Sequence, residues 1–426
     1  MSPDRNKRPA VQPIEHIEYT LPETTHFEGG SRFFTINGGE QEVVKLDFAV
    51  KAGSWYENNK LESLMSAAML TEGTATMKAT EIADKIDFYG AQFNSVSYYD
   101  NNYLSLVVLK RHLPKLLPVM ADMLQNSVFP ANEFEIIRQQ RKQRAQVDAE
   151  RVGLVAQRRF LQEMFGPGHP YTPVKSPDAY DHISIEGTID HYRNTYGSGR
   201  MNIYGSGHID NEVKALVSEY FGKSWGAKFI PKQYTFTPQA YSEPLIFLEK
   251  DTANQNAMTI GKLFPTQTHP DSAGLKVLTT VLGGYFGSRL MTNLREEKGL
   301  TYSIHASSIS FIHEAIFMIH AEVAAGKTDE AVKETFAEIE KLRQEPISET
   351  ELEPLRSYLL GRMLEEFDGP FARSQSFASL HEAGLDYNYY DLLIDTIRYI
   401  TPEEIMQLAQ RYFDPKSMLT VVAGAR

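Results

Sequence analysis

Twelve histidines are the first residues in this sequence with the chemistry to bind a metal or move a proton. A helix that holds a metal through imidazole needs two of them at i and i+3 or i+4, on one face. No two histidines stand at either spacing. His313 and His320 read as facing one another's neighbourhood across a hairpin, with His305 on an adjacent strand. Polar residues on a half-exposed sheet are the plainest account of all three. Cysteine is absent, which removes disulfides, thiolate metal sites and a cysteine nucleophile. Gly283, Gly284 and Gly287 stand close together, but no Gly-Lys-Ser/Thr follows, so they form no phosphate loop. With Tyr285 and Phe286 between them they read first as a connection between helices. Arg138, Arg141, Lys142, Arg144 and Arg151 charge one long helix. Part of that face could line a chamber that attracts acidic peptides, although a solvated face is the commoner fate of such charge.

The elements that must position these residues follow from composition and periodicity. The chain has 426 residues, 42% hydrophobic and 23% charged, with a net charge of −12. That is enough for two or three packed domains. The acidic balance argues against nucleic acid as a partner. No uncharged apolar run reaches the ~20 residues that span a bilayer, and the N-terminus lacks a signal-like apolar stretch, so the chain reads as free of the membrane and cytoplasmic. A removed signal would make it periplasmic.

Residues 1–27 read as an N-terminal arm. Residues 28–225 form a first domain, which opens on the strands SRFFTIN and QEVVKLDFAVKAG with Asn37-Gly38-Gly39 between them as a hairpin turn. Helices over 61–70 and 79–89 follow, the second capped by Gly90. Two strands and long helices over 113–125 and 132–161 come next. Residues 226–244, with Pro231, Pro238 and Pro244, read as a linker. Residues 245–426 then repeat the plan: strands, a helix over 271–282, a helix over 288–298 capped by Gly299, two strands, two long helices and a final strand. Gly90 and Gly299 stand 209 positions apart, close to half the chain. The expectation is an α+β fold of two homologous domains from an internal duplication, each a mostly antiparallel sheet covered by helices on one face.

Within the second half, LGGYFGSRLMTNLREEKGLTYSIHAS resembles the C-terminal half of the insulinase/pitrilysin-type zinc metallopeptidases, in their short processing-peptidase-like branch. In the first half VKAGSWYEN, MLTEGTATMKATEIADKIDFYGAQFNS and FGPGHPYTP resemble the same family. The resemblance runs over roughly residues 30–424. It implies that Arg295 and Tyr302 are the pair that reaches the scissile region of a bound peptide. It also implies that the strand containing Ala91, Gln92, Phe93 and Asn94 pairs with extended substrate, and that Gly283 and Gly284 help handle it. Outside that context, Arg295 paired with Glu296, Glu297 or a helix end, and Tyr302 packed in the sheet, is the simpler account.

At the metal site the resemblance fails. Active members carry His-x-x-Glu-His on a helix, with a distant Glu as third ligand. Those positions fall on Leu64, Ala67, Ala68 and Arg144 here. None offers a lone pair, and a guanidinium is always cationic. The resemblance therefore implies a non-catalytic subunit that binds no metal itself. It would bind peptide and donate Arg295 and Tyr302 to the zinc site of a homologous catalytic subunit, in a heterodimer. The alternatives are a structural or assembly core protein, and a homodimeric peptide-binding module without peptidase activity.

Overall fold

The computed structural model describes residue 14 and residues 17–228 and 243–426. Most of the expected linker, 229–242, lies outside the described residues, as do 1–13 of the expected arm. Two sheets organise the rest.

The first sheet contains β1 (Glu23–His26), β2 (Arg32–Asn37), β3 (Val43–Val50), β4 (Gln92–Ser97), β5 (Asn102–Leu109) and β6 (Met201–Gly207), in the order β1-β2-β6-β3-β5-β4. The second contains β7 (Leu245–Glu249), β8 (Gln255–Phe264), β9 (Thr301–Ser310), β10 (Ala315–Ala324) and β11 (Leu419–Gly424), in the order β7-β11-β8-β10-β9. From β2 onward the orders correspond one to one. In each, a single parallel pair, β2 with β6 and β7 with β11, sits beside antiparallel neighbours. The duplication is thus present in the topology.

The helices of the first half are α1 (Glu62–Met69), α2 (Ala79–Phe88), α3 (Leu113–Gln125), α4 (Ala131–Asp148), α5 (Val152–Phe165), α6 (Ile185–Thr195) and α7 (Asn211–Phe221). Those of the second are α8 (Ser272–Thr279), α9 (Thr328–Gln344), α10 (Glu349–Glu366), α11 (Gly369–Glu382), α12 (Asn388–Tyr399) and α13 (Pro402–Tyr412). Gly90 and Gly299 take the same left-handed backbone, φ 61° and 60°, just before β4 and β9. A Cβ at either would meet nothing within 4 Å. Glycine is there for its backbone alone.

Four expectations are corrected. The Asn37-Gly38-Gly39 turn makes no hairpin, because β6 inserts between β2 and β3 and pairs with both. A local turn signal cannot show which distant strand will fill the gap. The single helix expected over 132–161 breaks after Asp148, where Arg151 is extended with ψ 109°, giving α4 and α5.

Helices also do not cover one face only. α5 leaves its own half, and Ala156, Phe160 and Met164, spaced four apart, pack on β8 and β11 of the second sheet. Its counterpart α11 crosses the other way onto β2 and β6, where Phe377 meets Phe34 and Tyr204. The halves are interlocked by this exchange. Lastly, the described part of the arm is structural. β1 extends the first sheet. Ile17 is buried in the core of the second half, and Tyr19 stacks on Tyr387 at 4.6 Å and 3°.

Candidate functional site

Arg295 and Tyr302 flank the turn at Gly299. Arg295 lies on a wide helical segment, Met291–Glu297, whose hydrogen bonds follow the i+5 pattern common at functional sites. Buried Leu294 and Leu300 pin the segment to the core. Asn293 donates to Glu338 at 2.6 Å, and Lys298 pairs with Glu334 at 3.2 Å. Just before it, Arg289 holds Glu351 with two bonds of 2.8 and 3.0 Å. Arg289 and Lys298 are thus engaged, while Arg295 forms no ion pair or hydrogen bond among the described residues. Its guanidinium carbon instead lies 4.8 Å from the ring centroid of Phe286 and 5.1 Å from that of Tyr302. Tyr302 is 85% exposed at the start of β9, an edge strand. Arg295 is not paired with Glu296 or Glu297, and Tyr302 is not packed in the sheet.

Gly283 is buried, and a Cβ there would sit 2.7 Å from the Cβ of Ala306. Close packing against β9 requires that glycine. Gly284 is half-buried, with Thr280 about its Cα.

In the first half, Leu64 and Ala68 are half-buried on one face of α1, and Ala67 is buried. Serines fix the helix to β4 and β5: Ser95 donates to the carbonyl of Ala67 at 2.9 Å, and Ser63 bonds Ser97 and Asn102. Leu64 borders a cleft of about 360 Å³ with Glu57, Lys60, Tyr98, Tyr99 and Arg158. Burial pushes the Glu57 carboxyl up to about 7 against the opposing pull of Lys60. Arg144, on α4, has a side chain 73% exposed and pairs with Asp148 at 3.4 Å. Most of the other charges on that helix are neutralised locally, Arg138 by Glu135 and Lys142 by Asp181.

Ala91, Gln92 and Phe93 border a groove of about 630 Å³ against Glu72, Ile82 and Ile86. Gln92, Phe93 and Asn94 belong to β4, also an edge strand. By the 209-residue offset Phe93 corresponds to Tyr302, and Ile86 to Arg295. Both first-half residues pack on the core, whereas the second half presents its pair to solvent.

The histidines are dispersed. His305 and His320 are cross-strand partners, and His313 stacks on Trp55 of the first half at 3.7 Å. Among the described residues no three of His, Cys, Asp and Glu gather to hold a metal ion. No described helix is long and apolar enough to cross a membrane. Sequence reasoning passed over two side chains, Phe286 and Arg158. The first was visible as an aromatic inside a glycine-rich loop. The second carries no local signal, because its neighbours come from distant segments.

Residues 32–170 match the family model described as insulinase (peptidase family M16), and residues 182–359 match that described as peptidase M16 inactive domain. The chain belongs to the M16 peptidase family. It is similar to an uncharacterized zinc protease of Rickettsia felis, 24% identical over 401 residues that cover 89% of each protein. It is also similar to one of Mycobacterium tuberculosis, 23% identical over 418 residues that cover 94% of this chain and 93% of that one. Among solved structures, a Helicobacter pylori protease superposes with a TM-score of 0.87 at 19% identity, over 95% of this chain and 100% of that one. A Pseudomonas fluorescens peptidase M16 inactive domain gives 0.85 at 21%, over 95% and 98%. The fold is therefore the M16 fold, two α+β domains in one chain.

Zinc is the metal that the names of these relatives imply. The positions at which the sequence resemblance would set the metal do not fit it. Leu64, Ala67 and Ala68 are hydrocarbon, and Arg144 carries a permanent charge already paired with Asp148.

Proposed function

We propose that this chain is the non-catalytic subunit of a heterodimeric M16 zinc metalloendopeptidase, binding peptide and presenting Arg295 and Tyr302 to the active site of a homologous catalytic subunit. The observation that carries this reading is the Arg295–Tyr302 pair itself. Among the described residues Arg295 has no counter-ion, and Tyr302 is exposed to 85%. They suit a site completed by another chain. The guanidinium offers up to five N–H donors, and the phenol one O–H, to the oxyanion that develops at an attacked peptide carbonyl. β4 supplies a free row of backbone donors and acceptors on which an extended peptide can add as a strand.

The test is reconstitution with an M16 partner that carries an intact His-x-x-Glu-His. Arg295→Ala with Tyr302→Phe should abolish peptidase activity while sedimentation still shows the dimer. Full activity of the double variant would sink the donated pair. A homodimer that ignores the partner would favour the peptide-binding module, and assembly without any activity the structural core.

A further inference from the structure

Arg158 is a half-buried residue, close enough to the Tyr180 phenol to act on it electrostatically, with no ion pair or hydrogen bond among the described residues. A partly desolvated charge in that condition calls for an anion. It projects from α5 into the cleft beside Leu64, whose walls include Tyr98 and Tyr99. The other charged groups there are engaged with the chain itself. Lys60 donates to the carbonyls of His169 and Pro170 at 3.0 and 2.8 Å, and it lies close enough to Glu57 to lower that carboxyl's proton affinity against the effect of burial. Arg158 is the cleft's cation without a hydrogen bond or ion pair among the described residues, beside a space of about 360 Å³ that fits a side chain or a chain end. The cleft lies beside the last residues of β4, Ser97 and the following Tyr98, so a peptide added along that edge strand would pass its mouth.

We propose that this cleft binds a peptide carboxylate, with the Arg158 guanidinium as its two-point donor and the tyrosine rings as its walls. The carboxylate is either an Asp or Glu side chain or the C-terminus of the peptide. The inference rests on the reading that the chain binds peptide, but it needs neither the catalytic partner nor Arg295.

The experiment uses the full chain alone and three dye-labelled nine-residue alanine-glycine peptides, followed by fluorescence polarisation. One has a central Glu and an amidated C-terminus. One has a central Gln and an amidated C-terminus. The third has a central Gln and a free C-terminal carboxylate. A charge-assisted pair in a partly desolvated site predicts a preference of about tenfold for a carboxylate peptide over the Gln amide. Which of the two is preferred names the source. Arg158→Gln should bring all three to parity, and Arg158→Lys should retain part of the preference. Circular dichroism checks that the variants fold, and the lysine variant carries the test if the glutamine variant does not. Equal binding of all three peptides by the native chain overturns this inference alone. So does a preference that survives Arg158→Gln. Failure of every peptide to bind overturns it together with the peptide-binding reading, while leaving the Arg295–Tyr302 proposal to its own test.

Discussion

The guanidinium carbon of Arg295 lies 5.1 Å from the ring centroid of Tyr302, seven residues on and across the turn at Gly299. The wide helical segment delivers one and the edge strand β9 the other. The Phe286 ring also lies against the guanidinium, at 4.8 Å. The cation thus lies against two aromatic rings of its own chain.

Phe286 should matter through Arg295. An exposed cation–π contact contributes about 0.5–1 kcal/mol. Phe286→Leu should reduce kcat of an assembled pair by about two- to fivefold, and Phe286→Tyr should restore it. Melting temperature should not move, since Phe286 is 63% exposed. A matching loss of stability in the leucine variant would assign Phe286 to packing.

The two turn glycines should respond alike. Each holds a left-handed backbone with open space where a Cβ would go. Gly90→Ala and Gly299→Ala should each cost about 1–2 kcal/mol in urea unfolding. Costs that differ by more than about 1 kcal/mol would show that the two turns are not equivalent.

His169 should contribute stability that rises with pH between about 4 and 6.5, against the raised carboxyl of Glu57, which works in the opposite direction over the same range. His169 is fully buried, and its Nδ1 accepts the Tyr171 N–H at 3.0 Å. Burial, then the nearby charges of Lys60 and His313, hold its pKa down to about 4. Below pH 6.5 the unfolded chain takes up a proton that the folded chain refuses, so folding weakens until pH passes 4, by up to about 3 kcal/mol for a shift of this size. Burial lowers His313, His320 and His381 in the same direction. His169→Asn should flatten part of the slope in denaturation curves taken across that range, and an unchanged slope would exclude this histidine.

The N-terminal segment should behave as part of the second half. Ile17→Ala opens a cavity in its core and should cost about 2–5 kcal/mol. Arg373 also donates to the Thr20 hydroxyl, and Tyr387 to the Thr20 carbonyl. Proteolytic removal of residues 1–20 without loss of stability would contradict this role.

What the sequence disclosed was local or repeated. Gly90 and Gly299 revealed the duplication because a backbone requirement recurs wherever the same turn recurs. Leu64, Ala67, Ala68 and Arg144 could be read as unable to ligate zinc because the chemistry of a ligand is written in its side chain. What stayed hidden was non-local. Ala156, Phe160 and Met164 give α5 an apolar stripe, but no stripe names the sheet it will cover. The insertion of β6 between β2 and β3 is set by pairing across more than 150 residues. Arg158 became a candidate only once residues 54–64, 97–99 and 170–174 had gathered beside it.

The most direct measurement is zinc content and peptidase activity of the purified chain, alone and mixed with an M16 partner bearing an intact zinc motif. The account predicts no stoichiometric zinc and no activity alone, and activity with the partner that is lost in the Arg295→Ala, Tyr302→Phe variant. Stoichiometric zinc and activity in the isolated chain would contradict it.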